Sequence, residues 1–186
     1  MSVTTKRALA ASLKKLLKEK SLDSVTISDI AEDCGVNRQT FYYHFHDINS
    51  LVEWIYTDEA TQALAGKKTS DSWEEGFLRI FEYVNENKEF VYKTYHSNSF
   101  QHLLNFLLEQ TYNLLFGVIE EKAATLSVRE DDKRFIADFY KFAFVGLLLD
   151  WIDKGMMEEP SRIIEKLDLL IQGDFQMALE RFSSPL

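Results

Sequence analysis

The stretch TISDIAEDCGVNRQTFYYHF occupies residues 26–45. It predicts a short helix that begins after a threonine cap, a turn at Gly35, and a second short helix that begins after Asn37. The pair Thr26 and Asp29 has the spacing of a capping box, which marks the start of the first of these helices. Two short helices joined by a glycine-containing turn are the layout of a helix-turn-helix. This layout places the second helix in the major groove of DNA.

The second helix of this stretch carries an apolar face and a polar face. Val36 and Phe41, followed by Phe45, supply the apolar face that docks on the preceding helix. Arg and Gln side chains can form paired hydrogen bonds with guanine and adenine edges respectively, whereas hydroxyl and imidazole groups suit phosphate oxygens. Tyr43 is expected to pack partly inward. The polar face consists of Arg38, Gln39, Thr40, Tyr42 and His44.

The rest of the chain favours helices throughout. Seven Gly and two Pro interrupt 186 residues, which is too few for a many-turned β fold. Leucines at helical spacing predict a first helix to about Lys20, and Asp47 can cap a fourth that continues to about Ala65. Pro160 opens a last helix that runs through Phe182. We therefore expect an all-α protein of about nine helices, with a helix-turn-helix domain over residues 1–50 and a second helical domain over residues 51–186, the candidate for effector binding and dimerisation.

The charge distribution permits DNA binding without arguing for it. Residues 1–50 carry seven Lys/Arg and six Asp/Glu, a net charge of +1, whereas the remainder carries fourteen against twenty-four, a net charge of −10, so that the acidity lies outside the N-terminal segment. The single cysteine, Cys34, has no partner for an internal disulfide. No secretory leader opens the chain and no apolar stretch of about 18 residues occurs. These features predict a cytoplasmic protein.

The helix-turn-helix stretch resembles the DNA-binding signature of TetR-family regulators. The resemblance covers roughly residues 8–55 and rests on Gly35-Val36, Thr40-Phe41-Tyr42 and His44-Phe45 at family spacing. It implies that Thr26 and Tyr42 contact phosphates with His44 nearby, and that Arg38, Gln39 and Thr40 face the bases. It also implies that residues near Lys6 brace the DNA backbone, and Asn37 completes the candidate DNA-binding set. One position departs from the family: Ile48 stands where a phosphate-binding Lys is usual.

Helical repeats in the last third of the chain predict a homodimer. The run from Phe142 to Leu149 is apolar all round, so it needs cover on more than one side. A monomer core is the alternative explanation, but the family resemblance implies a four-helix bundle across a dimer interface. The stretch Phe142–Trp151, with Lys154-Gly-Met after it, resembles a subgroup found in Firmicutes that includes the activator of dihydroxyacetone kinase operons. The expected interface residues are Phe139, Phe142, Gly146, Leu149, Ile164, Leu167, Ile171 and Phe175.

The middle of the chain is rich in aromatic residues. They can form a filled core, or they can line a pocket of a few hundred Å³ for a small apolar or aromatic effector. The sequence leaves these two interpretations equally open. The candidate pocket residues are Phe81, Tyr95, Phe106, Tyr112 and Phe139.

Catalysis and metal binding are not expected. The sequence contains no Gly-rich phosphate loop, nucleophile elbow or HExxH motif, and no cofactor is implied. His44 and His46 lie two residues apart, and such residues do not face each other on a helix. The function predicted is a homodimeric regulator that binds a pseudo-palindromic operator on double-stranded DNA under the control of a small effector. Two alternatives remain: an activator controlled by a protein partner, and a helical interaction module that does not read DNA.

Overall fold

A computed structural model of the chain describes residues 2–60 and 73–183. Within these ranges the chain forms two compact units. The first comprises residues 2–60 and 87–106, and the second comprises residues 73–86 and 107–183. Each unit is described below by itself.

The described residues are helical nearly throughout and contain no strand. A single 3-10 turn, Leu22–Ser24, follows the first helix, and the fourth helix continues as a π-helix over Ile55–Ala60. No helix in the described ranges combines the length and the hydropathy needed to cross a membrane. The α-helices are α1 (Ser2–Leu16), α2 (Ile27–Asp33), α3 (Arg38–His44), α4 (Ile48–Trp54), α5 (Trp73–Glu86), α6 (Lys88–Tyr95), α7 (Phe100–Lys122), α8 (Glu130–Asp153), α9 (Pro160–Ile171) and α10 (Asp174–Phe182).

Helix α2 begins and ends as its sequence predicts. The Thr26 hydroxyl accepts from the Asp29 N–H, and the Asp29 carboxylate accepts from the Thr26 N–H, which forms the capping box. At the other end, Gly35 adopts a φ of 65°, where a side chain would be strained. The Val36 N–H then donates to the Ala31 carbonyl at 2.9 Å, which turns the chain sharply toward α3.

The core of the first unit forms on the inner faces of α1–α4. Leu9 and Leu13 of α1 are fully buried, as are Ile30 of α2 and Phe41 of α3. Leu51 of α4 completes this layer. Burial of such a side chain contributes about 1.5–3 kcal/mol, so that this small set fixes where α3 lies.

The second unit is organised around aromatic side chains of α5, α8 and α10. The Trp73 ring lies 5.3 Å from the Phe144 ring and 6.5 Å from the Phe175 ring. Phe81 packs edge-on against Trp151 at 4.9 Å. These contacts join the start of α5 to the middle of α8, and they fill the interior with rings in edge-to-face geometry.

The structure confirms the all-helical fold and corrects one helix. The predicted single helix from Pro160 to Phe182 is wrong, because the chain breaks at Gly173, whose φ is 82°. Glycine takes this left-handed conformation at no steric cost, and α10 begins immediately after it. The helical part of α1 ends at Leu16, a turn earlier than predicted. The predicted end of the fourth helix near Ala65 lies outside the described residues.

Candidate nucleic-acid interface

Helix α3 is positioned by its cap and by one buried ring. The Asn37 side chain accepts from the Thr40 N–H at 2.8 Å and from the Thr40 hydroxyl at 3.0 Å. Asn37 and Thr40, both predicted to contact DNA, therefore bond to each other and hold the first turn of the helix. Phe41 has no exposed surface and anchors α3 in the core. Phe45 ends the helix and is also buried.

The outer face of α3 is polar and aromatic. Arg38 and Gln39 are exposed, and the Tyr42 side chain is 51% exposed. Tyr43 is 83% exposed, so the expectation that it packs inward is wrong. Successive helical residues are rotated by 100°, which turns Tyr43 away from the buried Phe41. That rotation was visible in the sequence, and it adds Tyr43 to the candidate set.

Arg38 is available to a ligand, whereas several cations of α1 and of the turn that follows it are engaged. Lys15 pairs with Asp33, and Lys20 lies 3.0 Å from Asp29. Lys14 donates to the Asn87 side-chain oxygen at 3.1 Å. Arg38 makes no ion pair with any residue of the described ranges, although it is exposed at the first position of α3. Its guanidinium is therefore free to meet an acceptor outside the protein.

Thr26 occupies a rigid, electrostatically tuned position at the start of α2. Hydrogen bonds from the Thr26 backbone N–H, the Lys20 ammonium and the Thr26 hydroxyl lower the pKa of Asp29 to about 2. The hydroxyl donates to the Asp29 carboxylate at 2.9 Å. Thr26 is exposed and Asp29 is half-buried, so that Thr26 stays within reach of a phosphate while it caps α2.

Lys6 and Ile48 lie near the C-terminal end of α3. The Lys6 ammonium lies 5.3 Å from the centroid of the Phe45 ring and 5.7 Å from that of the Trp54 ring. Ile48 is half-buried at the first position of α4. The Asp47 carboxylate accepts from the Ser50 N–H at 2.7 Å, so a protein carboxylate already satisfies one of the N–H groups that start α4.

His44 is half-buried beside Tyr43, with its ring 4.9 Å from the Tyr43 ring.

The residues predicted for the dimer interface divide into two sets. Phe139 and Phe142 of α8 are more than 60% exposed, as is Phe135 one turn earlier, and Gly146 continues this face. Leu149, also on α8, is half-buried. The four residues from α9 and α10 lie instead in the protomer core, because the strongest apolar stripe of each helix faces its own unit. These buried residues are Ile164, Leu167, Ile171 and Phe175.

The five predicted effector-pocket residues occupy separate environments. In the first unit, Phe106 stacks on Tyr56 at 5.2 Å, and Tyr95 meets Phe100 edge-on. In the second unit Phe81 is fully buried, Tyr112 stacks on Phe116, and Phe139 is exposed. Two cavities of the second unit, about 420 and 360 Å³ in volume, are lined by other residues. A pocket formed by the five residues remains a prediction.

The described residues contain no group of three His, Cys, Asp or Glu side chains able to hold a metal ion. His46 is exposed and follows the end of α3, whereas His44 lies on the helix. The pair therefore has no third ligand within the part of the chain that the structure describes.

Comparison with protein families identifies the chain. Residues 6–55 match the model for bacterial regulatory proteins of the tetR family. Residues 71–173, more than half of the chain, match a transcriptional regulator C-terminal region of the same group. The chain belongs to the TetR family. It is thus a transcriptional regulator with a helix-turn-helix domain, and its family assigns it no enzymatic activity.

One relative and two solved structures are similar to this chain over most of its length. The HTH-type dhaKLM operon transcriptional activator DhaS of Lactococcus lactis subsp. lactis (strain IL1403) is 27% identical over 157 residues, which is 83% of this chain and 82% of that protein. The solved structure of a dihydroxyacetone kinase operon activator DhaS matches with a TM-score of 0.73 at 24% identity, over 98% of this chain and 99% of that one. A transcriptional-regulator structure from Pseudomonas aeruginosa PAO1 matches with a TM-score of 0.67 at 17% identity, over 98% and 95% of the two chains. The last two similarities confirm the fold.

Proposed function

We propose that this TetR-family regulator binds a pseudo-palindromic operator as a homodimer and reads each half-site with α3. The observation that carries the proposal is the outward face of α3. Phe41 fixes the helix to the core, while the side chains of Arg38, Gln39 and Tyr43 remain exposed. A helix that is anchored on one side and polar on the other has the geometry for base-edge contacts in the major groove.

The DNA contacts divide by chemistry. Arg38 and Gln39 are the groups proposed to read base edges, since each can form two hydrogen bonds with one base. Tyr42 and Thr26 offer hydroxyl groups to phosphates, and phosphate contacts fix the register of the protein on the duplex. Asn37 and Thr40 form the cap of α3, and they thereby hold in place the first turn of the helix, which carries Arg38 and Gln39.

Dimerisation is proposed through the exposed face of α8. Phe135, Phe139, Phe142 and Gly146 follow one another at intervals of four, three and four residues, which aligns them along one side of a helix. A methyl group added at Gly146 would meet no atom within 4 Å apart from the adjoining residues and backbone of its own helix, so that a partner helix can approach closely there. A dimer that reads both halves of a pseudo-palindrome must present its two recognition helices one turn of DNA apart, roughly 34–36 Å.

We propose that a small effector controls operator binding by changing the distance between the two recognition helices. An effector that binds the helical C-terminal domain more tightly in one of two spacings of the recognition helices shifts the dimer toward that spacing. The same coupling makes operator DNA change the affinity for the effector by an equal factor. Such a protein acts in the cytoplasm, where bacterial operators lie.

A protein partner is the second candidate for control. Phe81 and Phe106 pack tightly against neighbouring rings, as residues of a filled core do. The DhaS relative is named as a transcriptional activator, and an activating role is proposed for this chain as the second candidate. Analysis of small molecules released on denaturation of the purified protein distinguishes the two: a stoichiometric ligand favours an effector, and its absence under every growth condition favours a partner.

Selection of binding sites from random duplex DNA tests the proposed function. We expect enrichment of a two-fold symmetric site, followed by a large difference in affinity between that site and scrambled DNA at equal salt. Arg38→Ala should abolish enrichment at one position of each half-site. Arg134→Ala, which removes an exposed arginine from α8, serves as the matched control and should leave the site unchanged. Binding that remains weak and sequence-blind for the wild-type protein would favour an interaction module instead.

A further inference from the structure

Lys6 occupies an unusual place on α1. It lies three residues before Leu9 and seven before Leu13, so that it shares the helix face that forms the core. An apolar side chain would be expected at that position. The Lys6 side chain is half-buried, and its aliphatic stem can cover the core while its ammonium reaches the edge of the layer.

Two aromatic rings receive the ammonium. The Nζ atom lies over the Phe45 ring at 5.3 Å and over the Trp54 ring at 5.7 Å. The two rings contact each other with centroids 5.9 Å apart. Both distances from the ammonium fall within the range of a favourable cation–π interaction.

The Phe45 and Trp54 rings lie at the ends of α3 and α4, and α3 is the helix proposed to contact the bases. Phe45 ends α3, and its N–H donates to the Phe41 carbonyl at 2.9 Å. Trp54 is the last residue of α4 before the π-helical turn. Lys6 therefore ties α1 to the ends of both helices at one point. Displacement of the Phe45 ring would move the adjoining end of α3, which carries Tyr42 and Tyr43.

We propose that Lys6 is a positioning residue that fixes the orientation of α3, the helix proposed to read the operator. This role replaces the contact with the DNA backbone that the family resemblance implies. Its ammonium is engaged by the Phe45 and Trp54 rings. The inference rests on the proposed operator binding for its functional consequence, whereas the ring contact itself can be observed without DNA.

The two roles differ in how salt and DNA sequence affect the loss of binding. A phosphate contact contributes about 0.9 to the slope of log affinity against log salt, on any DNA. A positioning residue leaves that slope unchanged, because it releases no counterion. Its loss instead lowers the ratio of affinities for operator and scrambled DNA. For one lost cation–π contact we expect this ratio to fall roughly fivefold.

The experiment compares Lys6→Met with Lys6→Arg in the full-length protein. Methionine keeps an apolar stem and removes the charge, whereas arginine keeps a cation over the rings. Lys18→Met removes a charge from an exposed lysine and controls for net charge. Affinities for the selected operator and for its scrambled form are measured over a salt series. Protein labelled with 5-fluorotryptophan gives a fluorine signal for Trp54, which a Trp54→Phe variant identifies among the three tryptophans.

We expect Lys6→Met to shift the Trp54 signal, to lower the operator-to-scrambled ratio and to keep the salt slope, while Lys6→Arg and Lys18→Met resemble wild type. A slope reduced by about 0.9 with equal losses on both DNAs would overturn the proposal and make Lys6 a phosphate contact. An unmoved Trp54 signal with an unchanged ratio would also overturn it.

A second variant covers the case in which Lys6→Met does not fold. Trp54→Leu keeps the Lys6 ammonium and removes one of the two rings. It should lower the ratio of affinities for operator and scrambled DNA while the salt slope stays constant. An unchanged affinity ratio overturns the proposal. Failure of the wild-type protein to prefer any operator refutes the proposed function instead. The fluorine signal separates the two outcomes, because it is recorded on the free protein.

Discussion

Phe41 and Tyr43 lie two residues apart on α3 and have opposite environments. Phe41 has no exposed surface, whereas Tyr43 is the most exposed aromatic side chain of the helix. The 200° rotation between them sets the orientation of α3, with one residue in the core and the other toward solvent. Gln39, four residues before Tyr43, shares the outward face. Gln39 and Tyr43 therefore lie at the centre of the surface proposed to contact DNA.

Replacement of Tyr43 separates binding from stability. Tyr43→Ala should weaken operator binding roughly tenfold, about 1.4 kcal/mol, because it removes an aromatic contact from the centre of the outward face. Its melting temperature should match wild type, since an exposed side chain contributes little to stability. Phe41→Ala should instead destabilise the protein by about 3–5 kcal/mol. Fluorescence anisotropy and thermal unfolding measure both effects, and undiminished operator binding by Tyr43→Ala would remove this residue from the interface.

Arg38 and Gln39 are expected to act on separate positions of the operator. Arg38→Ala or Gln39→Ala should cost about 1–3 kcal/mol at one base pair of each half-site and relax selection there. Tyr42→Phe removes a hydroxyl only, and it should weaken binding to every sequence alike. Competition binding against a panel of single-base operator variants distinguishes these patterns. An equal loss on random DNA for Arg38→Ala would make that guanidinium a phosphate contact.

Ile48 stands where the family resemblance implies a phosphate-binding lysine. Ile48→Lys should strengthen binding to operator and to random DNA together, and it should steepen the salt dependence by about 0.9 in the log–log slope. The side chain is half-buried at the start of α4, so a long flexible lysine can extend from it toward solvent. Ile48→Met keeps the volume without the charge and serves as the control. A salt slope identical to wild type would show that position 48 lies away from the DNA backbone.

Local signals in the sequence are sufficient for the N-terminal helices. The cap at Thr26, the left-handed Gly35 and the cap at Asn37 each depend on hydrogen bonds between residues at most five apart, and all three are confirmed. Tyr43 was misplaced for a different reason. Its aromatic character favours burial, but the rotation imposed by Phe41 opposes it, and the rotation determines the outcome.

The C-terminal helices show where periodicity alone is insufficient. Ile164, Leu167 and Ile171 recur at helical spacing, and this pattern is the same for a protomer core and for an interface with a second copy. The structure places them in the core. Leu169 and Leu170 on the same helix are more than 70% exposed. Only the positions of the packed neighbours distinguish the two faces, and those neighbours come from distant parts of the sequence.

Acid should weaken the protein partly through Asp29. Hydrogen bonds from Thr26 and Lys20 depress the pKa of Asp29 to about 2, below its usual value. A depressed pKa contributes stability that is complete above the unfolded-state pKa, near 4, and is lost as the pH falls toward 2. The free energy of unfolding should therefore decline over this range, and less steeply in Asp29→Asn than in wild type. Carboxyl NMR titration gives the direct check, and a midpoint near 4 for Asp29 would contradict the capping-box contribution.

Phe142 tests the dimer interface directly. It lies 61% exposed on α8 between Phe139 and Gly146, so that a charge there need not disturb the protomer. In a dimer built on this face, Phe142→Glu would bury two carboxylates near the two-fold axis, at a cost of several kcal/mol. We expect a dissociation constant raised at least about a hundredfold in analytical ultracentrifugation, with helical content unchanged, and a loss of operator binding because one recognition helix reads only half a site. Tyr92→Glu, which places the same charge on an exposed aromatic position of α6, should remain dimeric. If Phe142→Glu sediments as wild type does, the interface lies elsewhere on the chain.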